Sequence, residues 1–312
     1  MAFTNIKQIP LPVAVWLARD LYDRDPAYIS GSQLAMSDRQ IVLGYRVNVD
    51  EDLSNVVAAR LGNAINDAID LAWRSDKLMT YVRLAGFNPL FEYEVNPDVP
   101  SEGKIPVYIQ RRYNQSFLGR TLSGAPDLIL NRRLYDYKST SVFGFQKKNP
   151  EDYMWQLTAY RYLARELIDD DTATIQFILK DWSKLRAARD PEYPQTPCPS
   201  MLVRVGSAEE CRIRLTNRVM RIDSLMSLDQ AEIPLCTDKE LWLPEPTYRY
   251  YKNPSAPSTS RATRVFDTML EAETYKIKEG GVGRIDTKKG DPRACDYCKA
   301  STICSQRNQW NM

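Results

Sequence analysis

Two aspartates and a lysine carry the sharpest chemistry in this sequence. They lie in GAPDLILNRRLYDYKST, residues 124–140. If Asn131 and Arg132 form a tight hairpin turn, residue 130 pairs with 133, and Asp127 falls opposite Asp136 on the neighbouring strand. Like charges facing each other across a sheet repel, so this pair asks for a cation between its members. Period-two alternation puts Asp136 and Lys138 on one side of their strand and Tyr137 on the other. Carboxylates holding Mg²⁺ or Mn²⁺ beside an ammonium suit phosphodiester hydrolysis: the metal activates water and neutralises charge on the phosphate, and the lysine orients the nucleophile or stabilises the transition state. The plainer alternative makes Asp127 a strand-end residue and pairs Asp136 with Lys138 or Arg133 on a solvated face.

Composition narrows the chemistry further. Among 312 residues there is no histidine, so Ser-His and Cys-His dyads, His-ligated zinc or haem, and a His general base are excluded. With 43% hydrophobic and 26% charged residues the chain is expected to fold around a real core. Its 42 Lys plus Arg against 40 Asp plus Glu give a near-balanced total that can still hide a local basic groove. No run approaches the roughly 18 apolar residues of a membrane span. Pro10 and Pro12 interrupt the apolar stretch from Ile9 to Ala18, and charged residues follow with no small-residue cleavage site, so a cytoplasmic protein is expected.

The elements that must position the acidic pair can be read from periodicity. Residues 1–50 look like an N-terminal helical segment, with a turn at Asp25-Pro26 and a second helix from near Ser30. From Ser54 to Trp73, Val57, Leu61, Ala64, Ala68 and Leu71 recur at helical spacing, which predicts an amphipathic helix with Asn63, Asn66, Asp67 and Asp70 on its other face. Five strand-like stretches follow as a β-meander: Phe91 to Val95, Val107 to Tyr113, Phe117 to Ser123, Pro126 to Leu130 and Leu134 to Ser139. A helix starts at Pro150, where Asn149 caps and Glu151 and Asp152 suit the positive dipole end, with a stripe of Tyr153, Leu157, Tyr160, Ala164 and Leu167. Residues 173–180 read as a buried strand, 208–225 as a basic amphipathic helix, and 253–260 as a hairpin tip or linker. The plan is α/β with a mixed central sheet.

PD followed by D-x-K resembles the core motif of the PD-(D/E)XK nuclease superfamily. Gln156 and Tyr160, at i and i+4 on the next helix, resemble the Q-x-x-x-Y signature of its RecB-like and Cas4-like branch. The upstream helix of that branch often shows G-x-x-x-H-x-x-x-E; here GNAINDAID aligns Gly62, puts Asp70 in the acidic place, and has Asn66 where many relatives carry histidine. Asp67 is an alternative carboxylate, and a solvated helix face is the bland reading of Asn66 and Asp70. Asparagine still offers a carbonyl oxygen but binds metal less strongly than imidazole and carries no proton. The resemblance implies a restriction-endonuclease-like core at residues 51–230 between the N-terminal segment and a cysteine-bearing extension at 231–312. It implies catalytic roles for Asp127, Asp136, Lys138, Gln156 and Tyr160, with Asp127, Asp136 and Asp70 or Asn66 around Mg²⁺ or Mn²⁺.

Six thiols without an export signal argue against a disulfide framework. Cys295, Cys298 and Cys304 form C-x-x-C-x5-C in a polar stretch with little core to fill, which points to a metal. Zinc or an iron–sulfur cluster takes four thiolates, so the fourth ligand must be Cys198, Cys211 or Cys236. The trio resembles the C-terminal cysteine cluster of Cas4-like and AddB-like nucleases, which implies a 4Fe-4S cluster, with zinc as the alternative. Those relatives usually supply the fourth cysteine near the N-terminus, where this chain has none. The stretch from IPLCTDKELW onward is similar to the tail of phage-encoded RecB-type nucleases, which favours Cys236.

Basic residues gather around the acidic pair: Arg111, Arg112, Arg120, Arg132, Arg133, Lys147 and Lys148, with Arg212, Arg214, Arg218 and Arg221 on the later helix. Tyr113, Phe143 and Phe145 are available to stack on unpaired bases. The expectation is a metal-dependent exonuclease on single-stranded or end-containing DNA in phage recombination or repair, with a recombination or single-strand-binding protein as a possible partner and no membrane. Its rival is a DNA-binding recombination partner that keeps the fold and has weakened chemistry.

Overall fold

A computed structural model of the chain describes residues 3–19 and 28–310; the turn expected at Asp25-Pro26 lies outside them. The elements used below run in the order α1 (Leu11–Ala18), β1 (Tyr28–Ser30), α2 (Asp38–Tyr45), α3 (Leu53–Trp73), β2 (Glu92–Val95), β3 (Lys104–Ile109), β4 (Tyr113–Phe117), β5 (Arg120–Gly124), β6 (Leu128–Leu130), β7 (Arg133–Thr140), α4 (Val142–Gln146), α5 (Met154–Leu163), β8 (Thr172–Leu179), β9 (Ser200–Arg204), α6 (Ala208–Leu225), β10 (Thr247–Tyr251), β11 (Arg264–Phe266), α7 (Met269–Lys278) and β12 (Arg284–Lys288). Among the described residues no helix is long and apolar enough to cross a membrane.

The chain divides into two compact units, Met1–Met36 with Asn48–Ser227 and Ser37–Val47 with Leu228–Met312. The first is a mixed α/β unit. Its six-stranded sheet has the order β9-β8-β7-β6-β3-β2. β2 with β3 and β7 with β8 pair parallel, and the remaining neighbours pair antiparallel. Val107, Ile109 and Leu128 form a core under it, with Trp73 of α3 and Tyr93, Tyr135 and Tyr137 of the strands packed against them. Leu17, Leu53 and Val56 form another between α1 and α3.

The expected meander fails at its first pair, since β2 and β3 run parallel, and is broken in two further places. Phe117–Ser123 is two strands: Leu118 and Gly119 take left-handed backbone (φ 50° and 75°), and Phe117 pairs with Arg120. Two consecutive left-handed residues make the tight turn whose twist matches a hairpin, and β4 and β5 leave the main sheet to join β1. Likewise Val107–Tyr113 ends at Ile109, because Gln110 (φ 49°) turns the chain.

The face of α3 also differs from its apolar pattern. Leu61 is 43% exposed and Leu71 74%, and Ala64 and Ala68 are exposed, whereas Gly62, Asn66 and Asp70 are half-buried. The stripe is packed only at its start, where Val57 meets the core of Leu17, Leu53 and Val56, and turns to solvent from Leu61 on. The inward face mixes Ile65, Ile69 and Trp73 with Gly62, Asn66 and Asp70, and a Cβ on Gly62 would sit 3.7 Å from Ser139 Oγ of β7.

The second unit holds the antiparallel sheet β11-β10-β12 with α7, and Asn253–Ser260 lies within the connection from β10 to β11. Helix α2 belongs to this unit, although it precedes the rest of it by some 180 residues of chain. A full capping box between Ser37 and Gln40 starts it.

Candidate active site and cysteine pocket

The hairpin that places the carboxylates is built by its own turn. Asn131 and Arg132 both adopt left-handed backbone (φ 48° and 61°), and Leu130 pairs with Arg133, Ile129 with Leu134 and Leu128 with Tyr135. One more step along this register sets Asp127 opposite Asp136. Asp127 Oδ2 accepts the Tyr137 backbone N–H at 2.8 Å, which holds its carboxylate against β7.

Asp136 is fully buried, and among the described residues neither of its oxygens finds a well-directed hydrogen-bond donor. Among the described residues its close partner is the Lys138 ammonium, with Nζ 2.6 Å from Oδ2, a contact short enough for an ion pair but poorly aimed as a hydrogen bond. Burial pushes both carboxyls above the usual range; for Asp127, to about 6, burial is the larger cause and the charge of Asp136 the next. The Lys138 charge opposes the shift at both. Two desolvated carboxylates, one of them with both oxygens orphaned, form a donor set that a hard divalent cation fits.

Lys138 begins a polar chain onto the next helix. Its Nζ donates to Gln156 Oε1 at 3.2 Å, and Gln156 Nε2 donates to Tyr160 Oη at 2.9 Å. Gln156 and Tyr160 can cooperate because they stand one turn apart on α5. Gly124 makes room for that helix: a Cβ there would sit 3.0 Å from the Tyr160 ring and 2.9 Å from Leu163.

Helix α3 brings Asn66 to the same place, with its Nδ2 3.4 Å from Asp127 Oδ1. Asp70 is one turn further and gives its Oδ1 to Arg74 Nε at 2.6 Å; Arg74 in turn donates to the Ile109 carbonyl. Asp67 points outward, exposed. Gln110, absent from the sequence-level site, donates to Asp127 Oδ1 at 2.7 Å, and its left-handed backbone at the end of β3 aims it there. No spacing or motif signals this role, since it depends on a non-glycine residue taking φ above zero.

The basic residues divide sharply. Arg120 pairs with Asp223, Arg132 with Asp169, Arg133 with Asp170 and Arg212 with Glu209. Arg214 and Arg218 donate to backbone carbonyls. Arg111 donates to the Pro97 carbonyl beside Asp98, and Arg112 to Ser123 Oγ. Phe143 is 68% exposed on α4, with Lys147 Nζ 5.8 Å from its ring centre, and Lys148 follows directly. Phe145 instead packs edge-on against Phe177 in the core, and the buried Tyr113 hydroxyl finds no hydrogen-bond partner among the described residues.

In the second unit, Cys236, Cys295, Cys298 and Cys304 line one pocket together with Arg39 and Gln40. All six cysteines are free thiols. Burial raises the Cys236, Cys295 and Cys298 thiols above their usual range. Cys198 and Cys211 lie in the other unit. Cys198 is exposed, and Cys211 is a core residue whose thiol burial pushes up to about 11. Among the described residues no three Cys, Asp or Glu side chains stand ready as a closed metal shell. What fits a metal is the donor chemistry: four thiols around one pocket suit a thiophilic centre.

Comparison with known proteins gives one family. The family model for the PD-(D/E)XK nuclease superfamily matches residues 48–305. No curated protein matches the chain. Among solved structures, the crystal structure of SSO0001 is similar at a TM-score of 0.39 and 12% identity, covering 65% of this chain and 80% of that one.

Proposed function

This chain belongs to the PD-(D/E)XK nuclease superfamily, a membership that implies hydrolysis of DNA, and from that premise we propose a Mg²⁺- or Mn²⁺-dependent exonuclease on single-stranded or end-containing DNA, serving phage recombination or repair. The observation that carries the metal dependence is Asp136: a fully buried carboxylate, both oxygens without a directed hydrogen bond, beside a second buried carboxylate.

In this reading Asp127 and Asp136 hold the ion, with Asp70 or Asn66 completing its surroundings. A divalent cation there supplies Lewis acidity, lowering the pKa of a bound water and offsetting charge on the scissile phosphate. Lys138, 30% exposed at its side chain, presents its ammonium to the water or to the pentavalent phosphate. Gln156 fixes the lysine by accepting a hydrogen bond from it, and Tyr160 fixes Gln156, so the ammonium is aimed before substrate arrives. Tyr137 N–H and Gln110 keep the Asp127 carboxylate oriented. Arg111, Arg112, Lys147 and Lys148 contact the DNA backbone, and the exposed Phe143 ring stacks on an unpaired base. A 4Fe-4S cluster on Cys236, Cys295, Cys298 and Cys304 staples the second unit, a structural role supported by the four thiols sharing one pocket.

One observation favours a second reading. The Asp70 carboxylate is spent on Arg74, and Asn66 turns its amide nitrogen toward Asp127. A DNA-binding recombination partner with weakened chemistry would look like this. Digestion of end-labelled single- and double-stranded DNA with Mg²⁺ and with Mn²⁺, beside DNA-binding measurements, separates the two. Cleavage lost in folded Asp127→Ala and Lys138→Ala variants supports the nuclease; full activity in either overturns the site, and binding without cleavage under both metals establishes the rival.

A further inference from the structure

Helix α2 carries no cysteine, yet its first turn reaches three of the four sulfurs in the pocket. Ser37 Oγ lies 3.2 Å from Cys236 Sγ, Arg39 Nε donates to Cys304 Sγ at 3.3 Å, and the Gln40 side chain hydrogen-bonds Cys298. The capping box that starts the helix aims these groups. Gln40 Oε1 accepts the Ser37 backbone N–H at 3.2 Å, which leaves its NH₂ for sulfur.

Arg39 is the unusual member. It is 2% exposed, and its other donors go to neutral oxygens: the carbonyls of Gln230 and Ile233, Gln230 Oε1 and Ser305 Oγ. Among the described residues no carboxylate pairs with it. A guanidinium buried without an anion is costly, and a neutral Cys304 thiol does not relieve that cost. Four thiolates around a 4Fe-4S cluster or Zn²⁺ carry net negative charge, which does.

We propose that Ser37, Arg39 and Gln40 form a collar of donors that compensates the charge of the metal–thiolate centre on Cys236, Cys295, Cys298 and Cys304, and so sets its reduction potential and its retention. The inference rests on the cluster reading given above. The three are positioning residues: they bond the ligating sulfurs and never the metal. Hydrogen bonds and positive charge at cluster sulfurs stabilise the reduced, more negative state, so removing them lowers the potential.

The test uses the full chain purified without oxygen, as wild type, Gln40→Glu, Arg39→Met and Arg39→Lys. Gln40→Glu keeps the capping-box acceptor and replaces the N–H donor with a charged oxygen, so the helix start survives. Iron and acid-labile sulfide are assayed, and the one-electron reduction by dithionite, in which no bond is made or broken, is titrated through the absorbance near ~400 nm. The expected result is a lower potential in Gln40→Glu and Arg39→Met, by about 59 mV for each tenfold change in the equilibrium. Faster bleaching in air should accompany it, with Arg39→Lys in between. Should Arg39→Met fail to assemble, Gln40→Glu decides. Unchanged potential and bleaching in iron-replete variants overturn the collar and leave the cluster standing. A wild type holding zinc instead sinks the iron–sulfur reading, and the collar is then read as faster zinc loss to a chelator in the variants, equal loss overturning it. A metal-free wild type overturns both.

Discussion

The two units solve opposite electrostatic problems. In the first, two carboxylates are buried with more negative charge than Lys138 balances, and the Asp136 oxygens lack directed donors. In the second, a guanidinium is buried with no carboxylate beside it among the described residues, and one of its donors reaches a thiol while the others go to neutral oxygens. One site carries uncompensated negative charge and the other uncompensated positive charge. Burial makes each deficit costly enough to favour binding, since the low-dielectric interior strengthens any charge that completes the set. Donor chemistry alone does not define a site; the sign of the uncompensated charge tells which class of group completes it.

The comparison breaks most visibly at the cysteines. If the second unit owes its stability to a metal centre, Cys298→Ser should cost it on the order of 10 kcal/mol, the scale of structural metal sites. The expected outcome is loss of protease resistance for residues 228–312, read by limited proteolysis, while the first unit stays intact. Next in size is Lys138→Ala: catalysis should fall by about 10³-fold or more, the scale of removing one group that stabilises transition-state charge, in single-turnover cleavage with folding checked by circular dichroism.

The carboxylate deficit itself should appear as a pH dependence of the metal-free protein. A carboxyl whose pKa is raised on folding contributes stability below its unfolded value, and that contribution is lost as pH rises through the folded value. For Asp127 the window runs from 3.8 to about 6, worth about 3 kcal/mol at 1.36 kcal/mol per unit. Urea denaturation of metal-free protein should show stability falling across that window, and Asp136→Asn, which removes the repulsion, should flatten the fall. A flat wild-type profile would contradict the deficit. The smallest expected effect sharpens the question of the missing imidazole: Asn66→His should tighten Mn²⁺ binding by about tenfold, measured by calorimetry on the inactive Lys138→Ala background.

Much of the first site was legible from local pattern. The Asn131-Arg132 turn fixes the register of its own hairpin, so facing carboxylates follow from counting. The i,i+4 spacing of Gln156 and Tyr160 needs only helical geometry. Legibility failed where burial overrode pattern. The apolar stripe read for α3 is packed only at Val57; beyond it the inward face combines Ile65, Ile69 and Trp73 with Gly62, Asn66 and Asp70, a mixture that the choice of stripe passed over. Gln110 left no trace, since a non-glycine residue with positive φ has no sequence signature. Most of the arginines could not be sorted into DNA contacts and internal ion pairs, because pairs such as Arg120 with Asp223 join residues 103 positions apart.

By itself the sequence determined the family motif, the strand-turn-strand that carries two aspartates and a lysine, and the exclusion of every imidazole chemistry. These are local or compositional properties, written in spacings of a few residues. Only the tertiary structure decided that Asp136 is buried without directed donors, that Gln110 holds Asp127, and that Arg39 meets Cys304 across 265 positions of chain. Charge compensation in a folded interior depends on which distant groups share a low-dielectric volume, and no periodicity in the chain records that.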